Sequence, residues 1–280
     1  MLARRTVAER KGAATARKRK GGTVGVVEEG AGLDVDAPVA LRQLFAVPAV
    51  RDARSYRVAK RTLDLVFASL VMLLLSPLFL LVCLAIRLDS PGRAIFSQER
   101  VRGRRVKDAD GGSSWATEPF VLFKFRTMES NADTALHRNY MAAYLSGDEG
   151  ALTALRPDRK EGEHFRPKHD PRVTRVGAAL RKMSLDELPQ MWNVLKGQMS
   201  LVGPRPPLTY EVEMYQERHL PRLAVKPGIT GLAQVHGRAG IGFEDTVAWD
   251  LEYLHTRSMW LDIKVLALTI PAVLSGRGAG

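Results

Sequence analysis

From Leu65 to Ile86 the chain reads LVFASLVMLLLSPLFLLVCLAI, without a single charge. At ~1.5 Å per residue such a run just reaches across a hydrocarbon core of ~30 Å. So long an uncharged run argues against a soluble core helix, and leaves two arrangements: a helix that crosses the bilayer and one that dips into it. Ser76-Pro77 sits at the middle. Pro77 has no N–H for the carbonyl of Leu73 and its ring crowds that turn, so the segment kinks there. The Ser76 hydroxyl can satisfy a carbonyl that the kink frees. Both flanks are basic: Arg51, Arg54, Arg57, Lys60 and Arg61 precede the run, and Arg87, Arg93, Arg100 and Arg102 follow it. Positive charge marks the cytoplasmic side. A segment that enters and leaves by the same face satisfies both flanks; a kinked spanning helix satisfies the proline but only one flank.

The remaining composition narrows the partners. The 280 residues carry a formal net charge of +12, with a pI of about 10.1. That balance favours an anionic partner, whether a membrane surface, a phosphorylated substrate or nucleic acid. Residues 1–57 read as a basic, disordered tail. Arg4, Arg5, Lys11 and Arg17 to Lys20 are scattered among Ala, Gly and Thr, with an acidic patch from Glu28 to Asp36 and no sustained period. No apolar run directly follows the basic one, so the tail is not a secretory signal. Its position just ahead of the apolar run fits a solvated tail near a membrane better than nucleic-acid binding, and no nucleic-acid partner is expected. Cys83 is the only cysteine, which excludes an intramolecular disulfide and any multi-cysteine metal site.

Beyond the apolar run, Ala94–Val101 and Pro119–Arg126 read as two strands of a hairpin, joined across the turn-rich stretch Asp108–Ser114. Alternation puts Lys124 and Arg126 on one face and Phe123 and Phe125 on the other. Residues 130–156 and 176–182 read as helical, the second carrying Arg181 and Lys182. Glu161–Pro171 is polar and turn-rich, Pro204–Pro207 a rigid loop, and Lys226–Gly231 a turn. Thr209–Leu220 has amphipathic helical spacing. Glu244–Leu254 and Leu261–Leu274 are helical, and the last is apolar enough to lie against a membrane surface or to form core.

Two adjacent carboxylates, Asp186 and Glu187, stand out between Lys182 and Pro206. Ser184-Leu-Asp-Glu187 matches a capping box, with Ser184 as N-cap and Glu187 reaching back. On these residues alone the capping role is favoured. The same placement also suits phosphate chemistry: free amides at a helix start attract an anion and keep an aspartate ionised. A carboxylate that attacks a diphosphate needs the phosphate charge neutralised, by a divalent cation or by Arg181, Arg205 and Arg126. The chain has no Walker-type loop, no HExxH and no GxSxG elbow, and its six histidines show no metal-ligand spacing.

These residues, with several ordered blocks, resemble the bacterial sugar transferases, the monotopic polyprenyl-phosphate phosphoglycosyl transferases. The blocks include Lys60-Arg-Thr-Leu-Asp64, Ser76-Pro77, Phe96-Ser-Gln-Glu-Arg-Val101, Lys124-Phe-Arg-Thr-Met128 and Asp170-Pro-Arg-Val-Thr-Arg-Val-Gly177. They continue through Leu180-Arg-Lys-Met-Ser-Leu-Asp-Glu-Leu-Pro-Gln190, Asn193–Pro206, Lys226-Pro-Gly-Ile-Thr-Gly231 and Asp250-Leu-Glu-Tyr253, so that the likeness covers residues 58–275. The resemblance implies transfer of a sugar-1-phosphate from a UDP-sugar to undecaprenyl phosphate with release of UMP. Downstream glycosyltransferases would then extend the product in exopolysaccharide or glycoconjugate synthesis. It implies that Asp186 is the nucleophile of a covalent phosphosugar intermediate and that Glu187 helps bind Mg²⁺. It puts Arg181 near phosphate and Arg205 of the Pro-Arg-Pro loop on nucleotide or phosphate; the hairpin's Lys124 and Arg126 are read beside them as further phosphate or nucleotide ligands. It also makes Ser76-Pro77 the break of a re-entrant membrane helix. The stretch from Val106 to Pro119 is longer than the family's hairpin loop, Ala239 replaces a frequent Asn, and the multi-span N-terminal region of longer members is missing.

The expected architecture is therefore α+β and mainly helical: a re-entrant membrane helix over 58–90, then a cytoplasmic catalytic domain over 91–280 at the bacterial inner membrane. That domain holds a small β-hairpin and interfacial amphipathic helices around the active site. The competing expectation, a catalytically inactive membrane scaffold of the same fold, is disfavoured by the intact Asp186, Glu187, Arg181 and Arg205.

Overall fold

The computed structural model describes residues 44–45, 53–107, 113–129, 135–155, 170, 172–237 and 241–274. The basic part of the tail, the turn at 108–112, most of the polar Glu161–Pro171 stretch and Ala239 lie outside the described residues. In chain order the elements are β1 (Leu44–Phe45), α1 (Arg54–Leu74), α2 (Ser76–Asp89), β2 (Ile95–Lys107) and β3 (Ser113–Phe125). Then come α3 (Ala135–Ser146), α4 (Glu149–Leu155), α5 (Arg175–Lys182), α6 (Gln190–Leu195), β4 (Ser200–Val202) and α7 (Thr209–Glu213). Last are β5 (Gly228–Thr230), α8 (Leu232–Gly237), α9 (Phe243–Thr256) and α10 (Met259–Leu274). Of two 3₁₀ segments, Leu185–Glu187 joins α5 to α6 and Glu217–Leu223 lies between α7 and β5. The chain is thus mostly helical with a small antiparallel hairpin, as the α+β expectation has it.

The apolar run forms α1 and α2, bent by 62° at a break at Leu75. The local chemistry is as the dipeptide requires: Pro77 starts the second helix, and the Ser76 hydroxyl donates to the Leu73 carbonyl at 2.8 Å. No single described helix is long and apolar enough to cross a membrane; the bent pair passes that test only together. Its outer surface exposes Leu70, Leu73, Leu74, Leu80, Leu81, Leu84 and Leu88. The opposite stripe of α1 is polar and faces protein. Lys60 donates to the Val202 carbonyl, the Tyr253 hydroxyl and Asp262 at 2.9–3.1 Å. Arg61 donates to the carbonyls of Val194 and Leu195 that end α6. Asp64, only 2 % exposed, accepts from the Ser200 hydroxyl and the Leu201 N–H.

The hairpin differs from its sequence reading in length. β2 and β3 pair without interruption from Ile95↔Phe125 to Lys107↔Ser113, so the stretch from Val106 to Pro119 that reads as a long loop is largely strand. The distal half is rich in charge, and an Arg102–Glu118 ion pair at 2.8 Å across the strands replaces the apolar alternation that would have signalled it. The 1–57 tail also needs correction: Leu44–Phe45 pairs with Ala116 and Trp115 as a third strand, and α1 already begins at Arg54. Further along the same edge of β3, Asn193 stands in for a strand. Its amide oxygen accepts from Phe123 N–H at 3.1 Å and its nitrogen donates to the Val121 carbonyl at 2.7 Å.

Downstream, Lys226–Gly231 is not only a turn. Gly228–Thr230 pairs in parallel with Ser200–Val202, two strands of three residues each that are too short to show a period. Gly203 and Gly228 permit this pairing, because a Cβ on either would collide with the backbone beside it. The helical readings hold with two breaks. Gly147, at φ +70°, separates α3 from α4, and the 209–220 stretch divides into α7 and the Glu217–Leu223 turn. The main core joins Ala68 of α1, Phe120 and Leu122 of β3, Met191 and Val194 of α6, Leu201 and Val202 of β4, Tyr253 and Val265. A second core packs Val82 and Ile86 of α2 against Phe125 and Leu180, with Leu185 and Leu188 laid on it.

Candidate active site

The carboxylate pair lies on the 3₁₀ turn Leu185–Glu187, between α5 and α6. The capping-box reading does not hold. An N-cap serine needs extended backbone, whereas Ser184 is left-handed at φ 54° and its side chain caps nothing. Instead Ser184 N–H bonds back to the Arg181 carbonyl and Leu188 N–H to the Leu185 carbonyl. The turn is held from below: Leu185 and Leu188 sit on the Phe125–Ile86–Leu180 core. The two residues between these leucines, Asp186 and Glu187, are both half-exposed. An αL residue ahead of the pair is strained for serine, which suits a place where geometry matters more than stability.

Glu187 opens onto a cleft lined by Arg100, Leu122, Lys124, Gln190, Arg205 and the Pro206–Gly228 crossing. Arg205 is half-exposed, with Nη1 3.6 Å from a Glu187 oxygen. The loop that carries it is fixed at four successive points. Gly203 N–H donates to the Thr230 carbonyl, and the Pro204 carbonyl accepts from Gly228. The Pro206 carbonyl accepts from Arg100 Nη1 at 2.9 Å, and that of Pro207 from Val101 N–H at 3.0 Å. Only the Arg205 side chain is left to reach outward.

Lys124 projects from β3 beside the Phe96 ring, at 5.4 Å from its centroid. Burial, then the nearby positive charges of Arg100 and Arg205, push its ammonium down to about 8, against the pull of Asp186 and Glu187. Arg100 is 7 % exposed and is pushed down to about 10 for the same reasons, burial first and Arg205 next. Three cations thus crowd one cleft with two carboxylates at its edge, an arrangement that an anion of more than one charge would relieve. Arg181 completes the surround. Its Nε donates to Thr127 Oγ1 at 2.9 Å, and Asp186 and Asp170 are its nearest opposing charges.

Of the residues singled out in the sequence, Asp186, Glu187, Arg181, Arg205 and Lys124 converge here. Arg126 does not: it is buried and spends its guanidinium on the carbonyls of Ser90, Pro91 and Ile86, where α2 ends. The strand stops at Phe125, so the alternation that paired Arg126 with Lys124 no longer applies there. Ser76 and Pro77 shape α1 and α2 and lie outside the cleft. The residue that sequence reasoning passed over is Arg100. Its signal was an arginine on the same strand face as Gln98, whose side chain it bonds at 2.8 Å, in register with a strand already carrying Leu122 and Lys124.

Among the described residues no three acidic, histidine or cysteine side chains come together as a metal cage. The adjacent acids still fit Mg²⁺ in its usual role, bound by one or two carboxylates and completed by substrate phosphates and water. The Glu187–Arg205 contact, long and half-exposed, leaves that carboxylate available.

The family model described as bacterial sugar transferase matches residues 55–276. The chain is 37 % identical over 221 residues to the exopolysaccharide production protein ExoY of Rhizobium meliloti, covering 79 % of this chain and 88 % of that one. It is 40 % identical over 225 residues to the UDP-glucose:undecaprenyl-phosphate glucose-1-phosphate transferase of Caulobacter vibrioides, 77 % of this chain and 70 % of the relative. Against the Escherichia coli protein of that name the identity is 38 % over 222 residues, 76 % of this chain but 40 % of the relative. The chain likewise spans only 43 % of an uncharacterized sugar transferase of Haemophilus influenzae. A match over most of the chain makes it a member of the bacterial sugar transferase family.

Proposed function

We propose that this protein is a polyprenyl-phosphate phosphoglycosyl transferase, which moves a sugar-1-phosphate from a UDP-sugar to undecaprenyl phosphate at the cytoplasmic face of a bacterial inner membrane. The observation that carries this reading is the pairing of two adjacent carboxylates on a rigid turn with a cleft of three cations. Such a cleft suits a diphosphate, and a carboxylate at its rim suits attack on phosphorus. The relatives' names supply the substrate class: those of Caulobacter and E. coli are UDP-glucose:undecaprenyl-phosphate transferases.

In this mechanism Lys124, Arg100 and Arg205 hold the diphosphate and offset its charge. A carboxylate oxygen of Asp186 attacks the sugar-bearing phosphorus. The bond from that phosphorus to the bridging oxygen breaks, the electron pair leaves with UMP, and a phosphosugar remains on Asp186. A phosphate oxygen of the lipid then attacks the same phosphorus, and the Asp186 carboxylate leaves. Arg181 opposes the charge on Asp186 and on the incoming lipid phosphate. Mg²⁺, held by Glu187 with substrate phosphates, would supply further charge neutralisation on the diphosphate. The acceptor is a membrane lipid, so the exposed apolar faces of α1 and α2 embed in the same leaflet; the basic flanks favour re-entry, with both ends cytoplasmic.

Asp186→Asn keeps the shape of the turn and removes the nucleophile. It should lower UMP release by at least about 10³-fold with the thermal midpoint unchanged, and EDTA should stop turnover of the unaltered enzyme. Near-normal turnover of that variant removes Asp186 from its role, and full activity in EDTA removes the metal from Glu187.

Lys124 gives a pH signature. Its folded-state value lies below that of a free lysine, so it is charged below about 8 and neutral above. The kcat/KM for the UDP-sugar, which reports the free enzyme, should fall as pH rises through about 8. Lys124→Met should lower kcat/KM at pH 7 and abolish that limb; an unchanged limb in the variant contradicts the assignment.

Re-entry is tested separately. A cysteine placed at residue 20 in a Cys83→Ser background should stay unlabelled by an impermeant reagent outside intact cells, as should one placed at residue 105. Labelling of either contradicts two cytoplasmic ends.

A further inference from the structure

A groove of about 530 Å³ lies apart from the catalytic cleft, between α2 and the start of β2. One wall is a single stripe of α2: Leu80, Cys83, Leu84 and Arg87 stand at i, i+3, i+4 and i+7, one helix face. Over that stripe the helix rises ~10 Å. Arg93, Ile95 and Ser97 form the other wall. Leu80 and Leu84 are largely exposed, as expected of side chains that meet acyl chains rather than water. The groove therefore runs from an apolar end on the membrane helix to a cationic end where the chain leaves it.

Strand alternation separates this groove from the Lys124 face of the hairpin. Lys124 lies opposite Phe96 in the hairpin register, and residues directly opposite share a face. Ile95 and Ser97 are on the other face, with the Phe125–Val82–Ile86 core beneath. Neither Arg87 nor Arg93 makes a hydrogen bond or ion pair among the described residues. The nearest acid in sequence, Asp89, is engaged elsewhere, accepting from the Val176 N–H at 2.9 Å. Among the described residues, no acid pairs with these two guanidinium groups at the mouth of the apolar track.

We infer that this groove binds an anionic phospholipid of the surrounding leaflet, its phosphate between Arg87 and Arg93 and one acyl chain along Leu80, Cys83 and Leu84. Soluble phosphate or nucleotide would leave the apolar stripe uncovered. A zwitterionic lipid brings its own ammonium to a place that already has two cations and no acid. The polyprenyl-phosphate acceptor must meet Asp186, and none of Asp186, Glu187, Arg181, Lys124 and Arg205 lines this groove. The site would couple the enzyme to leaflet charge through the same α2 and Phe125 core on which Leu185 and Leu188 hold the carboxylate turn. The inference rests on the membrane placement of α1 and α2 proposed above.

The test is native mass spectrometry of the full chain in a non-ionic detergent, with phosphatidylglycerol or phosphatidylcholine added. One phosphatidylglycerol should be retained per chain, in clear preference to phosphatidylcholine, and Arg87→Gln with Arg93→Gln should lower retention at least fivefold. Arg87→Lys with Arg93→Lys should restore part of it, and UMP release in detergent should stay within twofold in both variants. Equal retention by the wild type and the Gln variant, or no preference between the lipids, overturns the inference. Displacement of phosphatidylglycerol by undecaprenyl phosphate overturns it too, by making the groove the acceptor's. Sedimentation of the wild type with phosphatidylcholine–phosphatidylglycerol vesicles separates the two readings: failure to pellet refutes the membrane placement, whereas pelleting with unaltered lipid retention in the Gln variant refutes only the groove.

Discussion

The buried carboxylate of Asp64 is the contact on which the rest of the molecule depends. It sits on α1 where the apolar run begins and accepts two hydrogen bonds from the start of β4, from Ser200 Oγ at 3.0 Å and Leu201 N–H at 2.9 Å. A buried carboxylate is tolerated only where donors surround it, and here those donors belong to the strand that leads into the Pro-Arg-Pro loop. Lys60 and Arg61, one turn earlier, fix the end of that strand and the end of α6. The helix that exposes leucines on one side is thereby locked on the other to β4 and α6. One stripe of polar residues thus ties the proposed membrane element to the frame of the site.

From that anchor the site is assembled by rigid backbone rather than by long side chains. The Pro206 and Pro207 carbonyls are tied to β2, and Gly203 and Gly228 cross where no side chain fits. The carboxylate turn is laid on the α2–β3 core by Leu185 and Leu188. The cations then face one another across a small cleft, where burial first and their mutual repulsion second push Lys124 and Arg100 below their ordinary values. Part of the binding energy for a diphosphate is thus stored as repulsion before it arrives.

Much of this was legible in the residues. The uncharged run and its Ser76-Pro77 break gave the bent helix pair and even the hydroxyl contact, because both are local effects of two neighbouring residues. The carboxylate turn and Arg205 stood out as chemistry at close spacing. What was not legible depends on contacts distant in sequence. Arg126 looks equivalent to Lys124 until the strand ends and the helix carbonyls of α2 claim it. Ser184 has the right spacing for a capping box but the wrong backbone. Arg100 is placed in the cleft only by pairing of β2 with β3 and by the arrival of the Pro206 carbonyl from over a hundred residues away. The β4–β5 pair rests on two glycines whose use is visible only once the two segments meet.

The central claim is that Asp186 carries the sugar phosphate between the two substrates. The most direct measurement is the mass of the intact protein after incubation with a UDP-sugar in the absence of lipid acceptor, followed by peptide mapping. The account predicts one added sugar-phosphate, located on Asp186, formed together with UMP and discharged when undecaprenyl phosphate is supplied. An unmodified protein that releases UMP only once the acceptor is present, or an adduct on any other residue, would contradict it.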